Sequence, residues 1–180
     1  MFTVLSLFDH TGNWSRPYRE AGYDVRQVDI KTGEDVRLFE ALPYPLHGVL
    51  AAPPCTEFAV SGARWWEGKG EQALLDGLAL VDATCRIILV HQPQWWVIEN
   101  PVGRLRNWLG KPVMMFDPAD YGDPYTKKTC LWGNFTPPLK ARVPALEGSK
   151  MHLMPPSPDR AAKRSETPMG FARAFFEANP

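Results

Sequence analysis

Thr3-Val4-Leu5-Ser6-Leu7-Phe8-Asp9-His10-Thr11-Gly12-Asn13 is the stretch whose reading decides the fold. Thr3 to Phe8 is an apolar run of strand length, and the residues after it form a turn that contains a glycine. Trp14 to Ala21 has helical character, and Gly22 stops it. Val25-Arg26-Gln27-Val28-Asp29 is then a second strand that ends in an acid. Strand, glycine turn, helix, strand and terminal acid form the order of a nucleotide-binding βαβ unit. Such a turn lets a ligand approach the backbone, and the acid accepts bonds from ribose hydroxyls. One glycine is fewer than the full dinucleotide fingerprint carries. Outside this context Asp29 is a surface acid at a strand end.

Working outward, Lys31 to Arg37 is a loop leading into a short helix closed by Pro43 and Pro45. Gly48-Val49-Leu50-Ala51-Ala52 is a buried strand, cut off by Pro53 and Pro54, which have no N–H to continue a ladder. Cys55 follows directly. On its own it reads equally well as a small buried apolar residue or as a thiolate nucleophile. Thr56 to Gly70 is irregular and carries Phe58, Arg64, Trp65 and Trp66, which suggests a mobile functional loop. Glu71 to His91 repeats Leu74, Leu75, Leu78, Val81, Cys85 and Ile88 at helical spacing, so Cys85 belongs to a core face. Trp95 to Ile98 is a strand ending in Glu99-Asn100-Pro101. Leu105 to Leu109 is a short helix. Pro112–Phe116 and Lys128–Trp132 are strands around a turn-rich stretch, and Pro137 to Pro158 holds six prolines and no regular element. Met169 to Ala178 is a terminal helix started by Thr167-Pro168.

Strands alternating with helices predict an α/β fold with a mostly parallel sheet. In such a sheet Cys55 and Glu99, each at a strand end, lie on the same edge as the turn after Phe8. That convergence favours the nucleophile reading. A thiolate adding to C6 of a cytosine or uracil ring makes C5 nucleophilic. A carboxyl with a raised pKa, such as Glu99, then serves the ring nitrogen N3.

The 180 residues suit one domain with a full core. Eighteen prolines and seven tryptophans predict stiff, aromatic-lined loops. Three cysteines without pair spacing argue for a reducing compartment, and four scattered histidines argue against a metal site. The apolar start, Met1 to Phe8, is too short for a membrane span or signal peptide. The net charge of zero conceals a split: residues 1–85 carry −5 and residues 86–180 carry +5. Residues 127–164 hold eight basic side chains against two acidic ones, a segment fit either for phosphates or for plain solvation.

These motifs, in this order, resemble the DNA cytosine-5 methyltransferases dependent on S-adenosylmethionine, in particular the small phage and prophage forms. Phe8 to Gly12 is similar to the family's cofactor turn, Asp29 to its ribose-binding acid, and Asp35-Val36 to its adenine-reading pair. Pro53-Pro54-Cys55 is similar to the nucleophile motif, and Glu99-Asn100 to the motif that contacts cytosine. Lys127-Lys128-Thr129 lies where the family has a basic motif, and Thr167 to Ala172 resembles the last motif, which completes the cofactor pocket. The resemblance covers nearly the whole chain. It implies a Rossmann-like class I methyltransferase fold with helices on both faces, and one catalytic domain over residues 1–180. It further implies a cofactor site of Phe8, Asp9, Thr11, Gly12, Asn13, Trp14, Asp29, Ile30, Asp35, Val36 and Pro53. The implied catalytic set is Cys55, Glu99, Asn100 and Lys128, acting on a flipped-out cytosine with Phe58 or Arg64 filling the gap. No metal and no membrane are implied, and the setting is the cytoplasm of a bacterial host.

Three departures stand out. His10 occupies a turn position where a small residue is usual. Lysines replace arginines in the basic motif, without the planar fork of a guanidinium. Residues 135–166 are a proline-rich basic segment, too short for the family's target-recognition domain. Other readings stay open: the same chemistry on free cytidine nucleotide, on RNA or with a modified S-adenosylmethionine, or a degenerate, non-catalytic DNA- or cofactor-binding protein.

Overall fold

The computed structural model describes residues 2–180. A six-stranded sheet runs through it in the order β2-β1-β3-β4-β6-β5. The strands are β1 (Thr3–Leu7), β2 (Asp24–Val28), β3 (Gly48–Ala51), β4 (Trp95–Pro101), β5 (Met114–Phe116) and β6 (Thr129–Asn134). β2, β1, β3 and β4 are mutually parallel. β6 runs antiparallel to both β4 and β5, so the far side of the sheet departs from the expected parallel order. The link from β5 to β6 is turns around Pro118–Tyr121, with no crossover helix to reverse the chain a second time.

The fully buried apolar runs of β1 and β3 follow from having both faces covered. Successive side chains alternate between two cores. Leu5, Leu7, Val49, Ala51 and Ile98 pack with Val81 and Ile87 of α2 (Trp66–His91). Val4, Leu50, Val97 and Leu131 pack on the opposite face with Trp14, Tyr18, Phe171 and Phe175. Those rings come from α1 (Arg16–Glu20), the turn before it, and α6 (Met169–Ala178).

The helix expected over 71–91 is present, with one extra turn before it. The backbone breaks at Gly70 (φ 77°), so Trp66–Lys69 is a separate turn at an angle to the main run. Val60–Trp65 is a 3₁₀ turn, and α3 (Arg106–Leu109) is short, as its sequence suggests. Residues 137–158, expected to hold no regular element, contain α4 (Lys150–Leu153). α5 (Arg160–Ser165) follows, and the prolines at 155, 156 and 158 separate the two. Among the described residues no helix is long and apolar enough to cross a membrane.

Candidate functional site

The sheet register brings the predicted residues to one edge. Leu7 is level with Val28 on one side and Ala51 on the other, and Ala51 is level with Ile98. Each of these strands runs the same way. Phe8, Asp29 and Ala52-Pro53-Pro54-Cys55 therefore emerge together beyond the strand ends, and Glu99-Asn100 lie beside them within the last residues of β4, which runs on past the expected end at Ile98 to Pro101. Because β6 is reversed, it contributes its beginning, not its end, to the same edge. Thr129 pairs with Pro101 and Leu131 with Glu99.

The loop after Cys55 is stitched to the tip of β4. Asn100, fully buried, donates through Nδ2 to the Pro53 carbonyl at 2.8 Å. The Cys55 carbonyl accepts from Phe58 N and Ala59 N, at 2.9 and 2.8 Å. Val60 N donates to the Val102 carbonyl, and Arg104 N to the Phe58 carbonyl, both at 2.9 Å. The Arg104 side chain continues the seam, donating from Nε to the Glu57 carbonyl at 2.7 Å while its guanidinium lies 4.1 Å over the Trp66 ring. Gly103 makes the approach possible: a Cβ there would come within 1.8 Å of the Phe58 carbonyl oxygen. The expected mobile loop is thus a tethered one. Phe58, expected as a gap filler, is wholly buried in the core because these bonds turn its ring inward. Arg64 stays exposed, 4.9 Å over Trp65, a ring left 58% exposed at the loop tip.

Cys55 is half-buried. Burial, and then the Glu99 carboxylate, push its thiol above the ordinary value; Lys127 and Arg164 pull the other way. Burial likewise raises the Glu99 carboxyl, with Lys127 again opposing. Glu99 keeps some exposed surface, yet it stands among protein groups, which is why desolvation dominates. Lys127, not Lys128, is therefore the basic residue that acts on the pair. Asp117 engages both lysines: it accepts from Lys127 N at 3.0 Å and binds Lys128 Nζ at 2.5 Å. Lys128, expected among the catalytic residues, is thus ion-paired with Asp117. Arg164, on α5, was not singled out for this site beforehand. Its only signal was membership of the basic segment.

The first turn is built around Asp9. Its Oδ2 accepts from Ser6 Oγ (2.9 Å), Ser15 N (3.1 Å) and Ser15 Oγ (2.7 Å). One carboxylate oxygen is thereby engaged within the turn, and the residue is buried. Gly12 has φ +69° with Gln27 packed against it, a position suited to glycine. Phe8 adopts φ 61°, costly for a bulky residue, while its N–H still donates to Val28 O at 2.9 Å. Trp14, expected in the cofactor site, is 1% exposed and packs with Phe171 and Phe175. His10 and Thr11 are exposed, and Asn13 is half-buried and accepts from Arg16 at 2.7 Å.

At the end of β2, Asp29 Oδ1 caps Lys31 N at 2.8 Å, and its other carboxylate oxygen accepts no bond. Ile30 beside it is 68% exposed, and Val36 is buried beneath. Both Asp35 oxygens already accept from Arg37, whose guanidinium holds that carboxyl below its ordinary value. A carboxylate oxygen without a partner beside an exposed aliphatic side chain suits a ribose and the edge of a base. Among the described residues no cluster of His, Cys, Asp or Glu is arranged to hold a metal.

The fold has a solved counterpart. The chain is similar to the crystal structure of a candidate DNA modification methyltransferase encoded within a prophage of E. coli. Their TM-score is 0.54 and their sequence identity 21%, over 74% of this chain. The match takes in 46% of that protein, so this chain spans about half its length. No family model matches the sequence, and no curated protein matches it.

Proposed function

We propose that this chain is a DNA methyltransferase that modifies C5 of cytosine, with a Rossmann-like class I fold and one catalytic domain over residues 1–180. The observation that carries the reading is the convergence of Cys55 and Glu99 on the sheet edge that also holds the Phe8–Asn13 turn and Asp29. The shared fold supports it, as does the neighbour's description as a DNA modification enzyme.

S-adenosylmethionine fits the donor set: Asp29 for the ribose hydroxyls, the exposed Ile30 for the adenine, and the turn at Gly12 for close backbone approach. When bound it supplies an electrophilic methyl carbon. Cys55 Sγ adds to C6 of the cytosine, its proton passing to water. Glu99, whose carboxyl burial raises above its ordinary value, donates its proton to N3 and neutralises the charge that would otherwise build on the ring. Lys127 offsets the negative charge on this thiolate–carboxyl pair. Asn100 touches no reacting atom; it positions Cys55 through the Pro53 carbonyl. After alkylation water takes the C5 proton, the Cys55–C6 bond breaks to restore the thiolate, and the N3 proton returns to Glu99.

A second reading, the same chemistry on a free cytidine nucleotide or on RNA, is favoured by one observation. Much of the basic segment is matched internally: Lys140 and Arg142 bind Asp120, Lys128 binds Asp117, and Lys150 binds Glu147. One experiment separates the two. The purified protein is incubated with S-adenosylmethionine and either duplex DNA, RNA or cytidine nucleotides, and the nucleosides are weighed by mass spectrometry. A 5-methylcytosine product in DNA supports the first reading. A product only in RNA or free nucleotide gives the second, and none in any substrate sinks both.

A further inference from the structure

The seam that tethers the Cys55 loop also sets out aromatic rings around it. Trp65 ends the Val60–Trp65 turn and Trp66 begins α2, on the Cys55 side of the seam; Trp108 lies on α3, on the β4 side. Arg104 joins the two sides, its guanidinium 4.1 Å over Trp66 and its Nε bonded to the Glu57 carbonyl. Trp108 meets the buried Phe58 edge-on, with ring centroids 6.3 Å apart, and the wholly buried Leu105 anchors its helix.

The exposure of these rings sets them apart. Trp14, Trp95 and Trp132 are buried, and Trp66 and Trp96 are half-buried; Trp65 and Trp108 alone among the tryptophans are exposed. An indole left in water forgoes the burial that would stabilise the fold. The charge beside them is positive. Arg64 lies 4.9 Å over Trp65, and neither Arg64 nor Arg104 has an ion-pair partner among the described residues. On the turn leading into α2, Lys69 is paired with Glu57, which leaves the exposed Glu67 as the acid there.

We propose that Trp65 and Trp108 form a stacking platform for unpaired bases beside the target cytosine, so that the protein takes its DNA single-stranded in preference to duplex. The inference rests on DNA being the substrate and specifies its form. Exposed indoles next to unpaired guanidiniums suit a polyanion with stackable rings, because every base has a π-face and stacking is tolerant of sequence. In a duplex those faces are covered by neighbouring base pairs, and only base edges show in the grooves. A grip on duplex DNA is also poorly provided for. Phe58 is buried and cannot fill the space left by a flipped base. Lys128, Lys140, Arg142 and Lys150 are ion-paired within the chain. A single strand needs neither extrusion of the target from a stacked pair nor a filler for the gap.

The test is fluorescence anisotropy of the full chain with labelled thymine-only DNA, single-stranded or annealed to an adenine strand, over a range of salt. Wild type should bind the single strand about tenfold more tightly than the duplex. Trp65→Ala and Trp108→Ala should each weaken single-strand binding about tenfold, the loss of one base–ring stack, with the salt slope unchanged because no charge is removed. Trp65→Phe should keep most of the affinity, and thermal unfolding checks that each variant keeps the fold. Equal or tighter wild-type binding of the duplex overturns the inference. So does unaltered single-strand affinity in both alanine variants, or tighter binding of a uracil-only RNA strand than of the DNA strand. These strands contain no cytosine, which keeps the platform separable from the chemistry. Tryptophan-dependent binding of the single strand with no cytosine modified in any substrate supports the platform and sinks the methyltransferase reading. Methylation of cytosine equally in single-stranded and duplex DNA sinks the platform and leaves that reading standing.

Discussion

Glu99 is the residue on which opposite demands meet. Its carboxyl is pushed above its ordinary value of 4.5 by burial, so the folded state favours the protonated form. That preference stabilises the fold below pH 4.5 and is lost as pH rises through the folded value. Glu99→Gln should therefore unfold at a higher temperature than wild type at neutral pH, with the gap closing as pH falls toward 4.5. The same variant should alkylate faster at Cys55, because the neighbouring negative charge is gone, while methyl transfer is lost because an amide cannot protonate N3. Slower alkylation by iodoacetamide would break the proposed coupling. Lys127→Ala should slow that alkylation, and Lys128→Ala should leave it unchanged, since Lys128 is ion-paired with Asp117. At the other end of the site, Asp29→Ala should weaken S-adenosylhomocysteine binding by about 1–3 kcal/mol in a calorimetric titration, through its ribose bonds. Equal affinities would remove Asp29 from the pocket.

At the scale of elements, the strand tips were legible and the side-chain partnerships were not. Pro53-Pro54 and Pro101 mark the ends of β3 and β4 because proline cannot extend a ladder, and the apolar runs before them fix which segments are buried. The terminal helix, Met169–Ala178, was legible for the same kind of reason. Three features were hidden. The ion pairing of Lys128 depends on Asp117, earlier in the chain. The engagement of Asp9 depends on Ser6 and Ser15. The helices α4 and α5 lie among prolines and charges that carry no apolar period. The loop after Cys55 looked mobile because its tethers are backbone bonds to Val102 and Arg104, invisible to residue type. Gly103 tests that seam. An alanine there drives a methyl group into the Phe58 carbonyl, so Gly103→Ala should cost about 1–3 kcal/mol in urea unfolding and alter the rate of Cys55 alkylation. Lost stability with unchanged Cys55 reactivity would mean that the seam does not position the nucleophile.

For the whole molecule, the balance of charge is more local than the sequence suggested. The +6 segment is partly paired with acids that mostly precede it in the chain, Asp120 above all. Burial tends to raise the Asp120 carboxyl, but hydrogen bonds from Lys140 and from Asp117 N, with the charges of Lys140 and Arg142, hold it below its ordinary value. Lys140→Glu should accordingly destabilise the fold near Asp120 as well as weaken DNA binding, and thermal unfolding separates the two effects. Each phosphate neutralised contributes about 0.9 to the salt slope, so a slope of about 3–4, from Lys127, Arg160, Lys163 and Arg164, is expected rather than one of about 7. On the proposed function, with so few contacts and residues 135–166 too short for a recognition domain, the methylated target should be roughly two to four base pairs. A long unique sequence in mapped genomic DNA would show a reader that residues 135–166 do not contain.

The seam between the Cys55 loop and the tip of β4 has a consequence in time. On the proposed function, Cys55 and Glu99 belong to one bonded unit, so the entropy of orienting them is surrendered once, when the chain folds, and not again at each turnover. What remains to be ordered in a cycle is the incoming base. The temperature dependence of turnover should then report on that ordering, and Gly103→Ala, which disturbs the seam, should change the activation entropy.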